Sequence, residues 1–344
     1  MSQEALKQEA AQQETLSHDE LVERLGRLAQ NALPLWGIDK ATPATLINLS
    51  ENATYRVDLP SGPPRILRIH REDYHSKNAI SSELAWLEAL RLDGGVITPP
   101  VVPGLNGEEI QTAQSPELAR PRHMVLFEFL EGEEPEETQD LVAPFETLGE
   151  ISAKLHIHAR GWQRPPNFER LTWDYEHMLG ATPNWGDWRK APAMDAAALK
   201  ILSRQDQVIR RRLEAFGKGP ERYGLIHADL RLANLLLHGS STRVIDFDDC
   251  GFGWNLYDFA TAVSFFEESP QVPVLAASWA KGYRKHLPLP PEDEAEMMTF
   301  VVLRRMVLLA WIGSHSETDL AKSQGPAYTR DSCSLAERYL EVFG

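Results

Sequence analysis

The stretch "LIHADLRLANLLLHGSSTRVIDFDDCGFG", residues 225–253, sets Asp229, Asn234, Asp246, Asp248 and Asp249 among leucines, isoleucines and valines, with His227 just ahead of them. Buried polar groups are costly unless something pairs them, roughly 1–3 kcal/mol for each one stranded. "NLLL" and "RVIDF" have the apolar, β-branched character of strands and "HGSST" that of a turn, so the pattern predicts a small hairpin. Pairing across it brings Asn234 close to Asp246, an amide oxygen and a carboxylate facing one space. Such oxygen ligands suit Mg2+, which takes few protein ligands and leaves its other positions to water and phosphate. Asp229, five residues before Asn234, stands where it could accept the proton of a hydroxyl attacking a metal-bound phosphate. No Cys or His pair there has the spacing of a zinc site.

Composition narrows the class. With 344 residues, 42% of them hydrophobic, the chain can bury a large core in one domain or two lobes. Fifty acids against 35 bases give a formal net charge of −15. That balance disfavours nucleic acid or an anionic membrane as partner, since both need a basic footprint, and is compatible with an amine-bearing ligand. Cys250 and Cys333 are the two cysteines, too few for a disulfide framework and consistent with a reducing compartment. Cys250 reads as a small loop residue rather than a nucleophile. Residues 1–14 are rich in Gln, Glu and Ala, with no apolar signal-type core. The most apolar segment, "FVVLRRMVLLAWIG" (300–313), is interrupted by Arg304 and Arg305 and is too short to span a bilayer. A soluble, cytoplasmic protein is expected.

Along the chain, residues 1–16 read as a disordered head. Ser17 and Glu20 form a capping-box pattern opening a helix that ends near Pro34. "TLINL", "TYRVDL" and "RILRIH" read as an antiparallel meander, "NAISSELAWLEALRL" (78–92) as a helix, and "HMVLFEFL" as a further strand. The acidic "EGEEPEETQD" (131–140) looks like a join, giving an N-terminal lobe over 17–130 and a C-terminal lobe over 131–344. Beyond the join the patterns are helical, apart from the hairpin. Arg210, Arg211 and Arg212 read as a solvated helix face, and the three tryptophans of "WDYEHMLGATPNWGDWR" (173–189) as cover for the helical lobe.

"HADLRLAN" matches the kinase catalytic-loop pattern H-R-D-L-x-x-x-N except for Ala228 in the arginine position, and "DFD" (246–248) stands where kinases carry D-F-G. On these two motifs the chain resembles the aminoglycoside phosphotransferase/choline kinase superfamily. Within it, the chain is similar to bacterial phosphotransferase enzyme family proteins, among them stress-response-kinase-like and homoserine-kinase-like members. The resemblance covers roughly residues 30–340. It implies an α+β, protein-kinase-like bilobal fold, with a small antiparallel-sheet N-lobe, a larger mainly helical C-lobe and ATP in the cleft. Asp229 would then be the catalytic base, His227 a brace for its loop and Asp258 the anchor of that loop. Asn234 and Asp246 would hold Mg2+, with Asp248 a further candidate ligand. Arg68 would contact the phosphates, Glu83 would be its helix partner, and Glu128 and Phe129 would meet the adenine.

The chain also departs from the kinase pattern. "NLSENATYRV" has no glycine-rich motif, so Ser50, Glu51 and Asn52 would cover the phosphates, and Arg68 replaces the usual lysine. Only "DDCGFGWN" separates "IDF" from the next helix, too little for the peptide platform of a protein kinase. Both this and Ala228 argue for a small acceptor. Asp249, Trp311, His315 and Glu317 are the candidate substrate contacts. The expected activity is ATP- and Mg2+-dependent transfer of a phosphoryl group to a hydroxyl of a small metabolite: an aminoglycoside, amino alcohol, amino acid or sugar. A stress-type protein Ser/Thr kinase, a silent nucleotide-binding module and a two-metal hydrolase built on Asp229, Asp246, Asp248 and Asp249 are the alternatives.

Overall fold

The computed structural model describes residues 17–50, 52–137, 139–239, 241–316 and 318–344. The expected head 1–16, Glu51 and Glu317 therefore lie outside the described residues. The chain forms two compact units, one of the residues up to Tyr74 with Val102–Glu128, the other of His75–Val101 with Phe129–Gly344.

In the first unit, α1 (His18–Ala32) starts at the capping box read from sequence: Glu20 N–H donates to the Ser17 hydroxyl and Ser17 N–H to the Glu20 carboxylate. The meander follows as β1 (Ala44–Leu49), β2 (Ala53–Val57) and β3 (Arg65–Ile69). Two short strands, β4 (Val101–Val102) and β5 (Gln111–Ala113), escaped the sequence reading; β6 (Arg122–Glu128) did not. The sheet runs β1-β2-β3-β6-β4, with β5 also pairing β6. Register sets Arg68 opposite Thr54 on one side and Val125 on the other. The core joins Leu25, Leu28 and Trp36 to Tyr55, Val57, Leu67, Met124 and Leu126.

The second unit begins with α2 (Lys77–Ala89), so the chain does not divide once near residue 130. The cause is packing: Trp86 and Leu87 of α2 belong to the second core, with Phe145, Trp173, Phe247, Trp279 and Phe300. Hydrogen bonds from Asn78 to Asn167 and Glu169 tie down its first turn. Then come α3 (Val142–Gly161), β7 (Leu171–Trp173), α4 (Ala196–Phe216), β8 (Tyr223–Ile226), the hairpin β9 (Leu235–His238) and β10 (Ser241–Val244), and β11 (Gly251–Trp254). The helices α5 (Asn255–Ala262), α6 (Val272–Tyr283), α7 (Met297–Ser314) and α8 (Asp319–Phe343) complete it. The hairpin has company: β11 runs between β7 and β8 in a three-stranded sheet. A side chain on Gly149 would collide with the Trp279 carbonyl and one on Gly282 with that of Glu146, so these glycines let α3 and α6 touch backbone to backbone.

The stretch 291–314 is long and apolar enough to span a bilayer, longer than the sequence reading allowed, but 83% of its most apolar window is buried within the fold. It is a core helix, and the two arginines on it are buried with it.

Candidate active site

Residues 227–230 leave β8 as an irregular loop whose four successive amides are all taken by side chains. His227 N–H and Ala228 N–H donate to the Asp258 carboxylate at 3.3 and 2.7 Å. Asp229 N–H donates to His227 Nδ1 at 3.2 Å and Leu230 N–H to the Thr261 hydroxyl at 2.9 Å. Ala228 sits at φ 66°, a left-handed conformation that such a network holds in place. Asp258, at the start of α5 and fully buried, also accepts from His156 Nε2 at 3.0 Å. Through these bonds it ties α5 to the loop and to α3. His227 donates through Nε2 to the Ile245 carbonyl at 3.2 Å. With Nδ1 accepting, the imidazole is neutral, and burial, opposed by the Asp258 and Asp229 carboxylates, keeps its pKa below the ordinary value.

Asp229 is 7% exposed and accepts four hydrogen bonds from three side chains. Arg304 Nη2 donates to Oδ1 at 2.7 Å; Arg231 Nε and Asn234 Nδ2 donate to Oδ2 at 3.1 and 2.7 Å. Asn234 Nδ2 also reaches the Asp229 carbonyl at 2.8 Å. Burial pushes the Asp229 carboxyl up, but Arg231, Arg304 and their hydrogen bonds outweigh it and hold the group below the ordinary carboxylate range. Because both Asp229 partners of Asn234 are acceptors, the amide must present its NH2 to them. Its oxygen is the atom left for a cation.

Asn234 ends a short 3-10 turn, Leu232–Asn234, that feeds β9. Ile245 N–H donates to the Asn234 carbonyl at 3.0 Å, continuing the ladder in which Val244 faces Leu235. That pairing delivers Asp246 beside Asn234, at φ 60°, in the left-handed region that Asp tolerates better than most residues. An amide oxygen and a carboxylate, on residues that the ladder brings close along the backbone, are a donor set of the kind that suits a hard divalent cation. Among the described residues no three His, Cys, Asp or Glu side chains gather to hold a metal.

The next residues are held through their carbonyls. Arg170, buried, donates to the carbonyls of Ala79, Asp248 and Cys250; Trp173 Nε1 donates to that of Asp249 at 2.7 Å and His75 Nε2 bonds that of Asp248 at 2.8 Å. Phe247 is fully buried, edge-on to Trp86 at 5.5 Å and against His227 at 4.3 Å. Cys250 is fully buried and burial pushes its thiol up to about 12, so it is no nucleophile.

The other expected residues are distributed over the elements already described. Arg68, on β3 of the first unit, is 5% exposed with its guanidinium over Phe127 at 5.1 Å. Glu83, fully buried, is on α2 of the second unit. Ser50 lies in the β1–β2 turn, and the Asn52 side-chain oxygen accepts from Arg71 N–H at 3.2 Å. Glu128 ends β6 and Phe129 begins the second unit. Trp311 and His315 are buried on α7 and its C-cap, with rings stacked at 5.0 Å. They lie seven and eleven residues beyond Arg304, on one helical stripe. Arg212 is no free solvated arginine: it pairs with Glu296 at 2.5 Å and packs on Phe343.

Arg304, Arg231, Arg170 and His156 were missed as site residues. The signal for Arg304 was present, since a charge inside an otherwise apolar helix must find a partner. It is 1% exposed, bonded also to Ser264 and Tyr257 and placed over Trp185 at 5.2 Å.

Compared with known proteins, residues 44–296 match the family described as "Phosphotransferase enzyme family". The solved structure of the microcompartment-associated aminopropanol kinase is 48% identical, with a TM-score of 0.85 over 92% of this chain and 98% of its own. Amicoumacin kinase of Bacillus subtilis (strain 168) is 25% identical over 270 residues, 75% of this chain and 76% of its own. The structure of amicoumacin kinase hAmiN in complex with AMP-PNP, Ca2+ and Ami, 20% identical, shares the fold at a TM-score of 0.73 over 92% of this chain and 96% of its own.

Proposed function

The chain belongs to the phosphotransferase enzyme family and has its protein-kinase-like fold, and from that premise we propose that it transfers the γ-phosphoryl group of ATP to the hydroxyl of a small amino alcohol. The observation that carries the reaction is Asp229: a buried carboxylate, kept ionised by two arginines and turned by the amide of Asn234. The acceptor class rests on the 48% identity to an aminopropanol kinase and on the acidic charge balance.

Three donors occupy the two Asp229 carboxylate oxygens, two on Oδ2 and one on Oδ1. A carboxylate offers about four lone-pair sites, so Oδ1 has room for one more donor, the acceptor hydroxyl. Its oxygen attacks the γ-phosphorus, the bond to ADP breaks, and the proton passes to Asp229. Phosphoryl transfer runs through a loose transition state in which the nucleophile keeps its proton until late. A weakly basic carboxylate that orients the hydroxyl therefore suffices. Asn234 and Asp246 are the residues that would hold Mg2+, which when bound neutralises charge on the β- and γ-phosphates. Arg68 is assigned to the phosphates, and Trp311 and His315 to the acceptor side.

The test is transfer of labelled γ-phosphate from ATP across a panel of amino alcohols, amino acids, sugars and aminoglycosides, with casein included and Asp229→Asn as control. Transfer confined to amino alcohols supports the reading. Transfer to casein alone would replace it with a protein kinase.

A further inference from the structure

The segment after Asp246 is fastened in a way the transfer reaction does not itself require. Its three successive carbonyls, of Asp248, Asp249 and Cys250, each accept from a side chain: His75 and Arg170 on the first, Trp173 on the second, Arg170 on the third. Arg170 spends its remaining contact on the Ala79 carbonyl in the first turn of α2. The neighbouring Glu169 takes Ser76 and Asn78 from the same turn. One buried guanidinium therefore joins three parts of the unit: α2, the residues entering β7, and the segment that follows Asp246. Phe247 is packed against both Trp86 of α2 and His227.

We propose that Arg170, with His75 and Trp173, is a positioning clamp that presets the Asp246 carboxylate for the cation. In protein kinases the corresponding phenylalanine and the segment beyond it set the active and inactive states. Here the segment is short and every one of those carbonyls is tied to a side chain. A planar, five-donor guanidinium is pre-organised and loses little freedom of its own in fixing these carbonyls, and Asp246, held at φ 60°, would lose its fixed direction first if the carbonyls were released. The inference rests on Asp246 being a cation ligand, as the proposed function has it.

The experiment compares the full chain with Arg170→Gln, Arg170→Lys and Trp173→Phe. Hydrogen–deuterium exchange is followed at residues 246–254, binding of Mn2+ alone by loss of its free paramagnetic signal, and the Mg2+ dependence of the transfer rate. Outer-shell partners are worth about 10–100-fold in metal affinity. Arg170→Gln should weaken Mn2+ binding and raise the half-saturating Mg2+ by about that factor, with faster exchange at 246–250 and an unchanged KM for the acceptor. Arg170→Lys and Trp173→Phe should fall between it and the parent. Unchanged Mn2+ affinity and unchanged exchange in a folded Arg170→Gln protein would overturn the clamp. If Arg170→Gln does not fold, Trp173→Phe decides by the same two measurements. A parent chain that binds Mn2+ but transfers no phosphate refutes the proposed function and leaves the clamp to the exchange and binding data. Asp246→Asn that binds Mn2+ as well as the parent removes the clamp's purpose.

Discussion

Arg304 Nη2 lies 2.7 Å from Asp229 Oδ1, a buried ion pair between α7 and the loop that leaves β8. Burial opposes the charge of Arg304, and Tyr257 and Asp229 outweigh it and raise its pKa. Each member needs the other, since removing one partner of a buried pair costs about 3–5 kcal/mol and leaves a charge unpaired.

Arg304→Met is therefore expected to lower unfolding stability by about that amount. It should also cut kcat by about 100-fold, as expected when a reacting group is misplaced by an ångström. Arg304→Lys should recover part of both, and so should added guanidinium ion at non-denaturing concentration for Arg304→Ala. Denaturant unfolding and steady-state rates measure the two effects separately.

Asp258 accepts from two backbone amides and His156. Asp258→Ala strands three buried donors, each costing roughly 1–3 kcal/mol, so calorimetry should show a large drop in Tm. A change of only a degree or two would mean that the loop has another anchor.

His227 is buried neutral, its pKa depressed mainly by burial. Unfolded, it titrates at about 6.5. As pH falls below that value the unfolded state takes up a proton the native state does not, so stability is complete above it and is lost below it, at up to about 1.4 kcal/mol per pH unit. Urea unfolding at about pH 7.5 and about pH 5.5 should show this loss, and His227→Gln should show a smaller one.

Cys250 is fully buried with its thiol raised to about 12. The native protein should expose no more than one thiol, Cys333, to an aromatic disulfide at about pH 8, and both after denaturation. Rapid reaction at Cys250 would show that the segment 246–250 opens.

Local patterns made much of this legible. The capping box at Ser17, the meander, the long helices and the 235–244 hairpin each announce themselves within a dozen residues, and Asp229, Asn234 and Asp246 fall on loop and strand ends that sequence spacing alone brings together. β11 was invisible because its glycines lack the bulk that marks a strand. They are there because a side chain at Gly251 would strike the Leu171 carbonyl and one at Gly253 the Ile226 side chain at 2.6 Å. The counter-charges were invisible for another reason. Arg304 reaches Asp229 across 75 residues, Arg170 reaches Asp248 across 78 and His156 reaches Asp258 across 102, and periodicity says that such positions are buried without saying what they meet. The placement of α2 likewise depends on Trp86 and Asn78 finding partners far along the chain.

The most direct measurement of the central claim is single-turnover transfer by Asp229→Asn, read beside its affinity for an unreactive ATP analogue. Transfer should fall by about 100- to 10,000-fold, the range that general acid–base catalysis contributes, with analogue affinity unchanged within a factor of about two. Transfer at the parent rate would contradict that claim, because no hydroxyl would then need Asp229 to receive its proton.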